Sequence, residues 1–180
     1  PVRASRGIRS NNPGNIRATG EQWQGQVGSD GGFVTFATPQ AGIRALAKIL
    51  LNYQDVHGLN TIEGLVNRWA PPEDKGNDTK AYVKAVADAI GFKPTTSLNL
   101  RDPEVLRRVA TAVVHHENGT QPYPDALIRA GVDEALSGRT LGVRADVPGA
   151  HGRLPQSPEA KSSTMQEGAA RTGTDVQESN

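Results

Sequence analysis

The 180-residue sequence contains no cysteine, which excludes disulfide staples and thiolate nucleophiles and removes the preferred ligands of a structural zinc site. Oxidising and reducing compartments are both compatible with such a chain. Aromatic residues make up only 4 % of it, so each tryptophan and tyrosine has to be placed individually. No run approaches the roughly 20 apolar residues of a bilayer span, which argues against an integral membrane protein. Charge is equally sparse in net terms: a formal +1 gives no general attraction to nucleic acid. The amino end is nevertheless locally basic through Arg3, Arg6, Arg9 and Arg17, as a solvated arm or as a nucleic-acid contact. Residues 1–12, PVRASRGIRSNN, lack the apolar middle region of a secretory signal, so action outside the cytoplasm would need another route of delivery.

What is present reads as one mostly helical domain. After a polar, turn-rich opening, residues 23–36 alternate β-type residues with Gly28 and Gly31-Gly32, the pattern of a small hairpin. Thr38-Pro39 supplies a capping hydroxyl and an N1 proline, and Ile43, Leu46, Ile49, Leu50 and Tyr53 follow at helical spacing. A shorter helix from Thr61 carries Ile62, Leu65, Val66 and Trp69, the last taken as core, until Pro71-Pro72 stops it. Asn77 or Asp78 caps a third helix with Tyr82, Val83, Val86 and Ile90 inward and Gly91 at its end. Asp102-Pro103-Glu104 opens a fourth, and a short piece over 125–136 closes the domain. The spacing places a domain at 1–137 and a disordered tail or linker at 138–180, a segment without aromatics or hydrophobic period.

The fourth helix raises the functional question. Its apolar face Leu106, Val109, Ala110, Val113, Val114 runs directly to Glu117, and Asn118-Gly119 supplies left-handed residues that end the helix just beyond. A carboxyl on the apolar side of a helix end is disfavoured in its charged form, which suits it to donating a proton, as glycosidic bond cleavage requires. The alternative is a glutamate in water or paired with His115, His116 or an arginine.

The stretch AVVHHENGTQPY resembles the catalytic helix end of lytic transglycosylases and goose-type lysozymes, with Glu117 at the place of their acid and Asn118 where they carry serine. The amino-terminal words NNPGNIR, WQGQ and FVTF, and later NDTKAYVKAVADAIG, resemble the part that follows the catalytic helix in autolysin-type N-acetylglucosaminidases. Here the glutamate comes last, an order that suggests circular permutation. RGIRSNNPGNIR, RWAPPEDKGNDTKAY and HHENGTQPY together are similar to phage virion-associated and lysis proteins of lysozyme-like type. The resemblance implies an α+β, lysozyme-like helical domain with a small β-hairpin lobe. It also implies cleavage of peptidoglycan glycan strands by Glu117 without a cofactor, at the cell wall and as part of a virion.

Within that frame Asn12 and Asn15 are either sugar contacts or turn residues, and Trp23 either stacks on a sugar or packs. Tyr82 reaches the site or belongs to the core. Asp30, in GSDGG, is the acid at the hairpin position where the autolysin-type enzymes carry one, and is also a stock turn residue; Glu21 is a further candidate. His115 and His116 point about 100° apart on a helix, which argues against a shared metal ion. The rival reading is a non-catalytic virion or wall-binding module. Besides glycan strands, expected partners are other virion proteins, with no nucleic acid and no membrane span.

Overall fold

A computed structural model of the chain describes residues 3–138. The tail or linker expected over 138–180 lies, apart from Gly138, outside the described residues. The described residues form an α+β fold: a two-stranded antiparallel hairpin, β1 (Gln26–Asp30) and β2 (Phe33–Phe36), and six helices. These are α1 (Arg6–Arg9), α2 (Pro39–Asp55), α3 (Ile62–Trp69), α4 (Thr79–Ile90), α5 (Pro103–Asn118) and α6 (Asp125–Ser137). Among the described residues no helix is long and apolar enough to cross a membrane.

The helix starts follow the capping chemistry of the sequence. Thr38, Thr61, Asp78 and Asp102 each accept a hydrogen bond from an N–H of the first turn, and Pro39 and Pro103 occupy positions where no N–H is required. Gly91, Gly119 and Gly138 end α4, α5 and α6 in the left-handed conformation. Two details differ from the sequence reading. The opening contains a single helical turn, α1, capped by Ser5, too short for any hydrophobic period to reveal. At the end of α5 only Gly119 is left-handed; Asn118 stays helical because its amide donates to the Val114 carbonyl one turn back.

The long helix α2 is the centre of the packing, touching α5, α6 and β2. Ile43, Leu46, Leu50 and Tyr53 are fully buried there. Their neighbours Ile62, Val86, Leu106, Val109, Val113, Ile128 and Val132 come from the other helices, so one core runs through the domain. α2 also supports residues 11–14, and the approach is so close that a Cβ on Gly42 would overlap the Asn11 carbonyl oxygen and crowd Pro13. Surface ion pairs join α5 to α6, where Arg107 bonds Glu104 and Asp125, but exposed pairs contribute less than about 1 kcal/mol each. Burial of the apolar faces therefore outweighs them.

Two substitutions test this packing in denaturant melts. Leu46→Ala, at a side chain with no exposed surface, is expected to cost about 2–5 kcal/mol. Gly42→Ala, which adds only a methyl group but drives it into the 11–14 backbone, is expected to cost about 3 kcal/mol; a neutral result there would contradict the close approach.

Candidate functional site

Glu117 projects from the last turn of α5, half-buried, and its carboxyl accepts three hydrogen bonds from three other parts of the chain. Oε1 receives the indole Nε1–H of Trp69 at 3.0 Å and the hydroxyl of Tyr82 at 3.1 Å, while Oε2 receives the side-chain amide of Asn15 at 3.0 Å. The wall expected to be apolar is thus lined by neutral donors. A carboxylate offers about four acceptor positions, two on each oxygen. Among the described residues three are taken, and the open one lies on Oε2.

The donors are held from behind. Asn11 and Asn15 both adopt positive φ, 52° and 51°, a conformation asparagine tolerates better than most residues. Between them Asn12 is 1 % exposed, donating to the Ile16 and Val34 carbonyls at 2.9 and 2.8 Å and accepting from Ile16 N–H at 2.9 Å. It fastens the turn to β2. With both amide hydrogens committed and almost no surface, Asn12 supports the site from within.

The end of α5 is tied to the same turn. Asn118 donates to the Pro13 carbonyl at 2.8 Å and accepts from the Ser5 hydroxyl at 2.6 Å. α1 lies close over this junction: a Cβ on Gly7 would come within 2.5 Å of Asn118 Oδ1 and 2.8 Å of Asn15 Oδ1, so only glycine admits it.

Trp69 and Tyr82 come from the end of α3 and the first turn of α4, joined by a loop pinned by Thr79 Oγ1 donating to the Ala70 carbonyl at 2.6 Å. Trp69 meets Tyr53 edge-on at 6.4 Å, and the exposed His116 stacks on Tyr82 at 3.7 Å between ring centroids. Burial, and next the neighbouring Glu117 carboxylate, holds the Tyr82 hydroxyl protonated well above the usual tyrosine range. Tyr82 is therefore a donor at any ordinary pH.

Of the residues singled out in the sequence, the structure brings Glu117, Asn15 and Tyr82 together, with Asn12 behind them. It does not bring in the others. Trp23 is half-buried in the loop before β1, packed against the core, with its backbone bonded to Gln26. Asp30 is exposed beside the hairpin turn and makes no side-chain hydrogen bond or ion pair among the described residues. Glu21 is half-buried, and burial pushes its carboxyl up, but no hydrogen bond links it to Glu117. Among the described residues no three His, Cys, Asp or Glu side chains gather as a metal ion would need.

Sequence reasoning missed Trp69, which is core by burial, at 6 % exposed, and also a donor. The usable signal was chemical: a buried indole N–H needs an acceptor. A groove of about 860 Å³ between α3 and α4, walled by Glu63, Lys80, Val83, Lys84 and Phe92, contains none of the clustered residues, so volume alone does not mark the site.

No family model matches the sequence. It is 40 % identical over 140 residues, 75 % of this chain and 84 % of the other, to Protein P5 of Pseudoalteromonas phage PM2.

Two measurements check the site. All three tyrosines are raised by burial above the ordinary value of 10.0, so the stability they contribute is fully present below pH 10 and is lost as pH rises through their folded values. Ultraviolet titration should show the phenolates of the folded protein forming above the ordinary tyrosine range, with ionisation accompanied by loss of helical dichroism. In thermal or urea melts, Asn12→Ala should cost about 3 kcal/mol, because the Ile16 N–H and the Val34 carbonyl lose a buried bond while the Ile16 carbonyl keeps only the Val34 N–H, whereas Asn15→Ala should cost about 1 kcal/mol.

Proposed function

The chain belongs to the family of Protein P5 of Pseudoalteromonas phage PM2, and from that premise we propose that it is a virion-associated, lysozyme-like enzyme that cuts the glycan strands of peptidoglycan, with Glu117 as its acid and base. The observation that carries this reading is the convergence on one half-buried carboxyl of three neutral donors that leave a single acceptor position open. Three of the words resembling glycan-cleaving enzymes contribute those donors, the Asn-Asn turn, the segment from Trp69 and the tyrosine helix, whereas WQGQ and FVTF contribute none. Their order, with the glutamate last, fits a circularly permuted lysozyme-like domain.

A carboxyl built this way has one place for a proton. On Oε1 a proton would face the N–H of Trp69 and the O–H of Tyr82, donor against donor, and on the inner position of Oε2 it would face Asn15. It therefore occupies the open position of Oε2. From there it passes to the glycosidic oxygen as the bond from that oxygen to the anomeric carbon breaks, giving a neutral alcohol leaving group and an oxocarbenium-like sugar. The carboxylate left behind is at once stabilised by its three donors and acts as base. It removes the proton either from the sugar's own primary hydroxyl, whose oxygen then closes onto the anomeric carbon, or from a water that adds there.

Asp30 carries no contact that would position it as a partner to Glu117, and Glu21 is not bonded to the cluster. That favours intramolecular closure, the transglycosylase outcome, over hydrolysis. Trp69 and Tyr82 then act by orienting Glu117, and Asn15 sits where it can touch both the acid and a sugar.

The experiment is clearing of outer-membrane-permeabilised Gram-negative cells by the full chain. Glu117→Gln should slow clearing by about 10²–10⁴-fold while leaving the melting transition in place. Tyr82→Phe and Trp69→Phe, each removing one donor, should lower it by about tenfold. Released fragments analysed by mass spectrometry should carry anhydro ends. Absence of clearing by the unaltered protein would assign it to the non-catalytic wall-binding class instead.

A further inference from the structure

The arginines of the described residues divide into those paired with carboxylates and those without such a partner, among them Arg44, Arg68 and Arg108 and the four at the amino end. Arg101 pairs with Asp55, Arg107 with Glu104 and Asp125, and Arg129 with Asp125. Arg3, Arg6, Arg9 and Arg17 have no carboxylate partner among the described residues, and no acid occurs in the sequence before Glu21. Two of the four are gathered onto one ring. The Arg6 guanidinium lies 4.3 Å and that of Arg17 5.1 Å from the centre of the Phe33 ring, itself only 6 % exposed. Arg17 has a buried Nε–H without a partner. An aromatic face attracts each cation, but it does not cancel the repulsion of two positive groups sharing it. A planar anion accepting from the outer nitrogens of both guanidinium groups would do so.

This cationic patch borders the carboxyl site. Arg17 follows Asn15, which bonds Glu117, by two residues, a span of at most about 7 Å. Arg6 sits between Ser5, which bonds Asn118, and Gly7, which packs on Asn15 and Asn118. We propose that Arg6 and Arg17, held against Phe33, bind a carboxylate of the peptide stem carried by the glycan strand, so that stem-bearing strands are preferred over bare ones. The proposal rests on the reading of the Glu117 site as a glycan site and names the part of the polymer that this site's neighbour recognises. The sugar rings themselves are rich in hydroxyls and uncharged, and each lactyl carboxyl of an intact strand is tied up as the amide that carries a stem. The stems supply several free carboxylates at intervals along the same strand, and the patch supplies unpaired guanidinium forks one or two residues from the atoms that would hold the sugar. Nucleic acid is the weaker fit, because no run of aromatics interleaves with the basic residues and the domain has no wider excess of positive charge.

The test is binding, measured apart from cleavage. Fluorescence anisotropy with labelled soluble glycan strands, either bearing stems or stripped of them by an amidase with the lactyl carboxyls so exposed converted to amides, is read on the full chain carrying Glu117→Gln. Stem-bearing strands should bind roughly tenfold more tightly, a preference that shrinks as salt is raised. Adding Arg6→Gln, at an exposed side chain, should remove most of that preference; Arg17→Lys, which keeps charge but not the planar fork, should reduce it. Equal affinity for the two strand forms, a preference untouched by Arg6→Gln, or no binding to either form would overturn the proposal, as would tighter binding of a short DNA duplex. A stem preference in a protein whose unaltered form does not clear cells would leave this proposal standing and remove the cleavage reading instead.

Discussion

The candidate site depends on one junction, where the carboxyl end of α5 is bonded to the amino-terminal turn. Asn118 spans it, donating to Pro13 and accepting from Ser5, while Glu117 one residue earlier accepts from Asn15. These partners lie more than a hundred residues apart in sequence, so the site exists only when the chain has closed on itself. Asn12, with its amide buried among backbone groups, makes the turn rigid enough to be bonded to. Gly7 and Gly42 let α1 and α2 approach from two sides without side chains in the way. Losing any of these would move a donor away from Glu117 before it altered the core.

Energetically the arrangement divides labour. The apolar faces of α2, α5 and α6 supply the driving force, since their residues are almost entirely removed from water. The polar network adds little net stability per bond, because each bond replaces one made to water, but leaving any of its buried members unpaired would be expensive. That asymmetry confines the carboxyl to one orientation. It also explains why Trp69 and Tyr82 are both core residues and site residues: their rings fill the space around Val86, Val109 and Val113, and their single polar atoms emerge at Glu117.

Much of the fold was legible because it rests on local chemistry. Caps, N1 prolines and terminal glycines mark α2 to α5, and the helical periods of Ile43 to Tyr53 and Leu106 to Val114 mark which faces are buried. α1 was not legible, having too few residues to show a period, and neither was the helical state of Asn118, which depends on where its amide finds a partner. In the site, Glu117, Asn15 and Tyr82 could be picked from the motifs. Trp69 could not be separated from core by spacing, since its donor function depends on a tertiary neighbour 48 positions away. Asp30 and Trp23 were drawn from the same motifs, yet the hairpin carries Asp30 exposed beside its turn and Trp23 against the core. The pairing of Arg6 and Arg17 on Phe33 is likewise invisible until the β2 edge meets the segment after the Asn-Asn turn.

The central claim is that Oε2 of Glu117 holds the one open acceptor position and delivers its proton from there. A crystal structure of the unaltered protein with a thio-linked, uncleavable peptidoglycan oligosaccharide measures this directly. The account predicts the bridging sulfur of the scissile linkage within hydrogen-bonding reach of Oε2, with Trp69 and Tyr82 still on Oε1. A linkage seated against Oε1, or a sugar chain bound elsewhere on the domain with Glu117 untouched, would contradict it.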